Sequence, residues 1–330
     1  MSQFDRNCSK LFRLCAYEFP IWGLLICASI SLRAQNAPRT ATLSPAKLTD
    51  SRIQFFQAQL ARDPDYYLNY NRLAGSYVVK ARETGDISYY ELAKTALNKS
   101  LQLESQQPEA AEALTQLGGV EFAEHRFSEA ATSAGRALKL QPDDPSAIAL
   151  EGDAQLELGN YSNAENFFSQ LTTSDRSRPH KGLEYLNATR RASLAWMHGD
   201  VSQSLSLMRS ATELAIEARL PAENVAWTYF TLGEQLFQSG KLNDAEAAMR
   251  EALDAYPSYH RALAGMGQIR AAQQRFSEAA GFYKQAQDVV PLPIYAAALG
   301  DLHRKMGKGA DAEKQYALVE FIGQLSAIHK

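Results

Sequence analysis

Cysteine is confined to the extreme N-terminus. The chain has 330 residues and three cysteines, Cys8, Cys15 and Cys27. Nothing beyond position 27 can form a disulfide, give a thiolate to zinc or act as a thiol nucleophile. Histidine is sparse and scattered: of His125, His180, His198, His260, His303 and His329, none lies three or four residues from another. The paired-ligand spacing that a helical zinc site needs is therefore missing, and no metal or cofactor is expected. No GxSxG elbow occurs, and LGGV at 117–120 lacks the lysine and hydroxyl of a phosphate loop. A basic surplus is lacking too. Lys and Arg number 34 against 37 Asp and Glu, a formal charge of −3, which argues against the counterion-displacing surface of a nucleic-acid protein. Runs of alternating β-branched residues are absent, so no sheet is expected. The longest apolar run, Ile21–Leu32, is too short to span a bilayer well, and Glu18 and Pro20 block its extension.

What remains is a composition able to bury a core, 45% hydrophobic and 22% charged. The N-terminus has the order of an export signal. Arg6, Lys10 and Arg13 precede the apolar run IWGLLICASISL, and Ala34 is a small residue at a cleavage point. Residues 1–34 are read as a cleaved signal, with an uncleaved anchor, the one route to a membrane, and an unprocessed leader as alternatives. Residues 35–50, QNAPRTATLSPAKLTD, read as a polar linker with two prolines. Ile53–Ala61 reads as a lone helix that could cap the helices after it, and residues 51–330 form one helical region.

That region repeats itself. Leu117-Gly118, Phe127, Ala130, Ala137 and Pro142 recur as Leu232-Gly233, Leu242, Ala245, Ala252 and Pro257. They recur again as Met266-Gly267, Phe276, Ala279, Ala286 and Pro291. Gly118 to Gly152 and Gly233 to Gly267 are both 34 residues apart, and Gly267 to Gly300 is 33. Each position has a physical reason. In the helix–turn–helix module that this spacing resembles, the glycines would stand where two antiparallel helices approach, the alanines would face them from the partner helix, and the prolines would stop the second helix. Gly159, Gly199, Gly240 and Gly307 fall in the turn, where the chain needs a left-handed residue. His125 occupies that turn position in its unit and reads as a cap. LNDAE at 242–246 and GADAE at 309–313 set carboxylates at the start of second helices, where the dipole favours them.

These units resemble tetratricopeptide repeats, helix–turn–helix modules of 34 residues. The resemblance implies an all-α, right-handed superhelical solenoid of antiparallel helix pairs. Units fall at 67–108, 111–144, 145–178, 185–218, 226–259, 260–293 and 293–326. The unit at 185–218 is degenerate, with Ala192 for glycine and Ser204 for alanine. The first unit carries about seven extra residues at its turn, ARETGDISYYE. TTSDRSRPHKG at 172–182 reads as a loop, and 211–225 as an extended second helix broken at Pro221. ARETGDISYYELAKTAL, LPAENVAW and the segment from VPLPIY to FIGQL are similar to segments of exported bacterial proteins of this class. No activity carries over from that group.

In such arrays positions 2, 5, 9, 12 and 13 of a unit line the concave groove. The resemblance thus assigns Trp227, Phe230, Glu234, Phe237 and Gln238 to the groove. It adds Leu186, Thr189, Ser193, Trp196 and Met197 from the preceding unit, and Arg261, Ala264, Gln268, Ala271 and Ala272 from the next. Trp196, Trp227, Phe230 and Phe237 are the candidate apolar seat for a peptide or helix, with Glu234, Arg261 and Gln268 beside them. The alternative is that these aromatics pack between units. The lysine–asparagine clamp by which some relatives hold a C-terminal carboxylate is missing at positions 5 and 9. Asp153, Glu157, Glu234 and Asp301 in the groove argue against an acidic ligand, and Arg190-Arg191 is too small a cluster for nucleic acid. The chain is expected to be an exported, periplasmic or envelope scaffold that binds a protein partner, not an enzyme. A self-associating envelope subunit and an enzyme with an unrecognised site are the alternatives.

Overall fold

The computed structural model describes residues 45–106, 108–171 and 181–328, with side chains over 47–324. The signal sequence, most of the linker and nearly all of the loop at 172–182 lie outside the described residues. Among the described residues the regular elements are fifteen α-helices. The first, α1 (Pro45–Arg62), begins inside the stretch read as linker. Its polar start is held by the next helix: Thr49 Oγ1 donates to Glu83 at 2.9 Å, and Asp50 pairs with Lys80 at 2.5 Å. Ile53, Phe56 and Leu60 pack on the same neighbour.

The remaining fourteen helices form seven pairs. These are α2 (Tyr67–Thr84) with α3 (Ser88–Leu103), α4 (Ala110–Ala123) with α5 (Phe127–Leu140), α6 (Pro145–Glu157) with α7 (Tyr161–Gln170), and α8 (Lys181–Met197) with α9 (Val201–Glu217). They continue with α10 (Ala222–Gln238) and α11 (Leu242–Ala255), α12 (His260–Ala272) and α13 (Phe276–Val289), and α14 (Pro293–Lys305) and α15 (Gly309–Ile328). Each pair packs on the next, giving a solenoid of antiparallel helix pairs. First helices of neighbouring pairs also touch one another, as α2 with α4, α6 with α8 and α10 with α12, whereas second helices make no comparable contact. The first helices therefore crowd the inner, concave face.

The repeated small residues have a specific packing task. A Cβ on Gly152 would lie 2.4 Å from Phe168, one on Gly267 2.7 Å from Tyr283, and one on Gly300 2.5 Å from Tyr316. Each aromatic stands four residues, one helical turn, after the fully buried alanine of its pair, Ala164, Ala279 and Ala312. The alanine lets the second helix approach; the glycine then receives the large side chain one turn on. The degenerate unit keeps the crossing by another device. Ser204 is fully buried, its Oγ 2.7 Å from the Ala192 carbonyl and 3.1 Å from Gln235 Oε1, so the hydroxyl links α8 to α10.

Helix ends obey local chemistry. α5, α11 and α13 stop two residues before Pro142, Pro257 and Pro291. Asp144 caps α6 by accepting from the Ser146 N–H, with Pro145 opening the helix. The stretch 211–225 is not one helix broken at its proline. α9 ends at Glu217, Arg219 takes a φ of 53°, and residues 222–225 form the first turn of α10 behind Pro221.

His125 and Gln274 adopt φ of 59° and 61° at the turn position that Gly240 and Gly307 fill elsewhere. A left-handed side chain costs about 1–2 kcal/mol, against about 0.5–1 kcal/mol of extra glycine entropy. Gln274 is exposed. Gln274→Gly is therefore expected to stabilise the array by about 0.5–1 kcal/mol, read as a higher melting temperature. A lower one would show that the glutamine side chain contributes more than its backbone strain removes.

Candidate ligand cavity on the inner face

The first unit does not carry its extra residues as a longer loop. They lengthen the helix: α2 has 18 residues where α4, α6, α12 and α14 have 13 or 14. Gly85, at φ 71°, caps α2 through its N–H to the Ala81 carbonyl at 2.8 Å, and Asp86 Oδ1 accepts from the Ser88 N–H to start α3. The overshooting end of α2 reaches across the inner face to α10, itself lengthened to 17 residues. There Arg82 Nε and Nη2 each lie 2.9 Å from an oxygen of Glu223, a two-pronged pair across 141 residues of sequence. Glu223 stands in the first turn of α10, where the helix dipole also favours it. Gly85 abuts Val290 so closely that a Cβ would be 2.2 Å from its Cγ1. The α2–α3 turn is thus a strap laid against α10 and the α13–α14 connection.

Between strap and array lies a cavity of about 500 Å³. Its walls come from Tyr90 and Ile87 on the strap side, Tyr185 and Arg190 on α8, Trp227 on α10, and Arg261 on α12. Its aromatic lining is backed by a buried polar pair: Tyr185 Oη and Thr228 Oγ1 are 3.2 Å apart. His260 Nδ1 lies 2.7 Å from Tyr295 Oη. Burial, with Arg261 beside it, pulls the His260 imidazole down to about 4, so the ring is neutral at physiological pH. Burial likewise pushes Tyr295 up to about 12. Neither group of this pair changes charge near neutrality. A second concavity, between α2, α4 and α6, is lined by Glu109, Glu112, Gln116 and Asp144 and has no aromatic wall.

Of the residues assigned to the groove by repeat position, Leu186, Trp227 and Arg261 line the cavity. Trp196, Phe230, Glu234, Phe237 and Gln268 lie off its wall. Phe230 and Phe237 are half-buried against the core of α10, α11 and α12, and the Phe230 ring meets Tyr259 edge-on at 5.9 Å. Trp227 packs partly on that core as well. Trp196 is half-buried and Gln268 exposed. Burial pushes the Glu234 carboxyl up, against the pull of Arg261. Arg82, Tyr90, Tyr185 and Glu223 are wall residues that repeat position does not mark.

Among the described residues, the charged side chains on the cavity wall are ion-paired with one exception. Arg190 donates to both oxygens of Asp153, at 3.2 and 2.7 Å, a fork that desolvation would otherwise oppose. Arg82 holds Glu223. Arg261 is exposed and, among the described residues, has neither an ion-pair nor a hydrogen-bond partner. Among the described residues no group of three or more histidine, cysteine or carboxylate side chains gathers as a metal site, and no helix is long and apolar enough to cross a membrane.

The repeats have recognisable relatives. Models of the tetratricopeptide repeat match residues 79–145 and 230–291, and a second such model matches 121–183. Together the matched stretches run over 79–183 and 230–291. A search of curated proteins gave no match. Among solved structures, the Cut9–Hcn1 hetero-tetramer of the APC/C superposes with a TM-score of 0.59 at 13% identity, over 77% of this chain and 46% of that one. The chain thus spans about half the length of that relative. A tetratricopeptide repeat protein from Parabacteroides merdae gives 0.53 at 18% identity, over 77% and 91% of the two chains. PilF of Pseudomonas aeruginosa gives 0.51 at 14% identity, over 65% and 92%. At these identities the likeness is one of fold. Repeats of this class serve generally as non-catalytic scaffolds for protein–protein interaction. The helix pairs, the glycine and alanine crossings and the model matches agree, and the chain is a tetratricopeptide repeat protein.

Proposed function

We propose that the protein is an exported, non-catalytic scaffold that holds a segment of a partner protein on its inner face, in the strapped cavity beside Trp227. The observation that carries this reading is the cavity itself. Its volume of about 500 Å³ falls in the range of ligand pockets, and it sets aromatic surface beside a few convergent polar groups. Trp227 is the anchor: half-buried on α10, it presents aromatic surface to the cavity while its other side rests on the core. The export reading rests on the N-terminal order of positive charge, apolar run and small residue. On that reading the partner is periplasmic or part of the envelope.

The experiment is a pull-down from an envelope fraction with the chain, with Trp227→Ala and with Phe237→Ala. Loss of an interface aromatic anchor costs about 2 kcal/mol or more. Capture is expected to fall more than tenfold with Trp227→Ala and to persist with Phe237→Ala, which is off the cavity wall. Equal capture by all three proteins would remove the cavity from the function.

A further inference from the structure

The chemistry of the occupant can be read from the charges around the cavity. Taken by residue type, Asp153, Glu157, Glu234 and Asp301 make the inner face look acidic. None of the four, however, stands on the cavity wall. Asp153 is forked by Arg190. Asp301 accepts from the Tyr316 hydroxyl at 2.8 Å. Glu234 is half-buried, and Glu157 is exposed and off the cavity wall. On the wall itself Glu223 is held by Arg82. The charge left over on the wall is Arg261, which is exposed and, among the described residues, has no ion-pair or hydrogen-bond partner; the carboxylate that feels it, Glu234, lies half-buried off the wall. Its neighbours there, Trp227, Tyr90, Leu292 and neutral His260, carry no charge that would satisfy it.

Size restricts the occupant further. A helix with side chains is about 10–12 Å across, so one turn takes up about the whole cavity. A few residues of extended chain, narrower than a helix, match that volume better than a helical ligand does. We infer that the cavity takes a short extended peptide segment bearing an acidic side chain, which pairs with Arg261 while a neighbouring apolar side chain rests on Trp227. The inference rests on the scaffold reading above and adds the ligand's charge and conformation. A guanidinium suits a carboxylate because it offers two parallel donors in one plane.

The test uses a displayed library of random octapeptides, acetylated and amidated so that only side chains carry charge. It is selected on the full chain, on Arg261→Glu, on Arg261→Lys and on Trp227→Ala. The wild-type pool is expected to be rich in Asp or Glu next to an aromatic or aliphatic residue. Those peptides should bind Arg261→Glu at least tenfold more weakly, and Arg261→Lys should keep part of the affinity. The pool selected on Arg261→Glu should turn basic. Arg261 is exposed and unpaired, so its variants should melt like wild type, which separates lost binding from lost fold. A neutral or basic wild-type pool, or acidic peptides indifferent to Arg261→Glu, overturns the inference and leaves the scaffold reading standing if Trp227→Ala still weakens binding. Failure to select any peptide, or a pool indifferent to Trp227→Ala, overturns both.

Discussion

Replacing Glu246 by glutamine is expected to destabilise the array by about 3 kcal/mol, since removing one partner of a buried ion pair strands the other. Arg270, in the last turn of α12, is 5% exposed and reaches Glu246 near the start of α11. Its Nη1 and Nη2 donate to the two oxygens of Glu246 at 2.5 and 2.7 Å, and Glu278 approaches its Nε only to 3.5 Å. Glutamine keeps one acceptor and removes the charge, so a buried guanidinium is left short of compensation. The loss should appear as a lower urea midpoint and as faster amide exchange in α11 and α12. A midpoint within experimental scatter of wild type would mean that Glu278 takes over the pairing.

The same pair sets an acid limb. Hydrogen bonds from Arg270 hold the Glu246 carboxyl down to about 2, from an ordinary 4.5. A carboxyl depressed in the folded state stabilises that state above its unfolded pKa and loses the contribution as pH falls through the folded one. The difference between wild type and Glu246→Gln should therefore be full above about pH 5 and shrink steadily towards pH 2. A difference that stays constant over that range would assign the loss to packing and not to charge.

The second large effect concerns the strap. Gly85→Ala places a methyl group 2.2 Å from Val290 Cγ1 and forces alanine into φ 71°. The backbone alone costs about 1–2 kcal/mol, and the clash must be relieved by moving Val290 or lifting the turn. Arg82→Glu acts on the other end. It replaces an ion pair by a carboxylate facing Glu223, with Glu83 close enough to raise the repulsion. Spin labels at positions 87 and 292, in a background with Cys8, Cys15 and Cys27 changed to serine, would read the closure. Both variants are expected to move most molecules from a short, narrow distance distribution to a long, broad one. Arg82→Lys, which keeps one charge but not the fork, should give a mixture. Distances unchanged in Arg82→Glu would show that the packing of Gly85 on Val290 closes the strap alone.

How much of this is legible in the sequence depends on the range of each signal. The helix pairs and their turns are periodic, so Gly118 and Gly152, Gly233 and Gly267, and Gly267 and Gly300 stand out at a spacing of about 34 residues, and the prolines mark where second helices stop. The first helix is harder to bound because Thr49 and Asp50 look like linker; their partners Glu83 and Lys80 come from the next helix, some thirty residues on. The strap is harder still. Its extra residues are visible as an insertion, but a contact between Arg82 and Glu223 belongs to no period. Paired charges mislead in the same way: Asp153 counts as an acidic groove residue until Arg190, one unit on, is set beside it. That signal is present in the sequence, because both lie on first helices of adjacent units. Aromatics at groove positions show the limit of position alone. Phe230 and Phe237 turn their rings to the inter-unit core, and only Trp227 among them reaches the cavity.

The strap also changes what kind of polymer this array is. A chain of stacked repeats couples each unit to its neighbours only, so that unfolding can begin at either end and travel inward one unit at a time. Tying α2 to α10 adds a coupling over 141 residues, which the folding chain can make only after the units between have stacked and set the geometry. Contacts of such sequence separation form late and slow the approach to the native state. Units 67–108 and 226–259 should then fray together although neither touches the other along the stack, and cutting the tie should restore ordinary end-to-end melting.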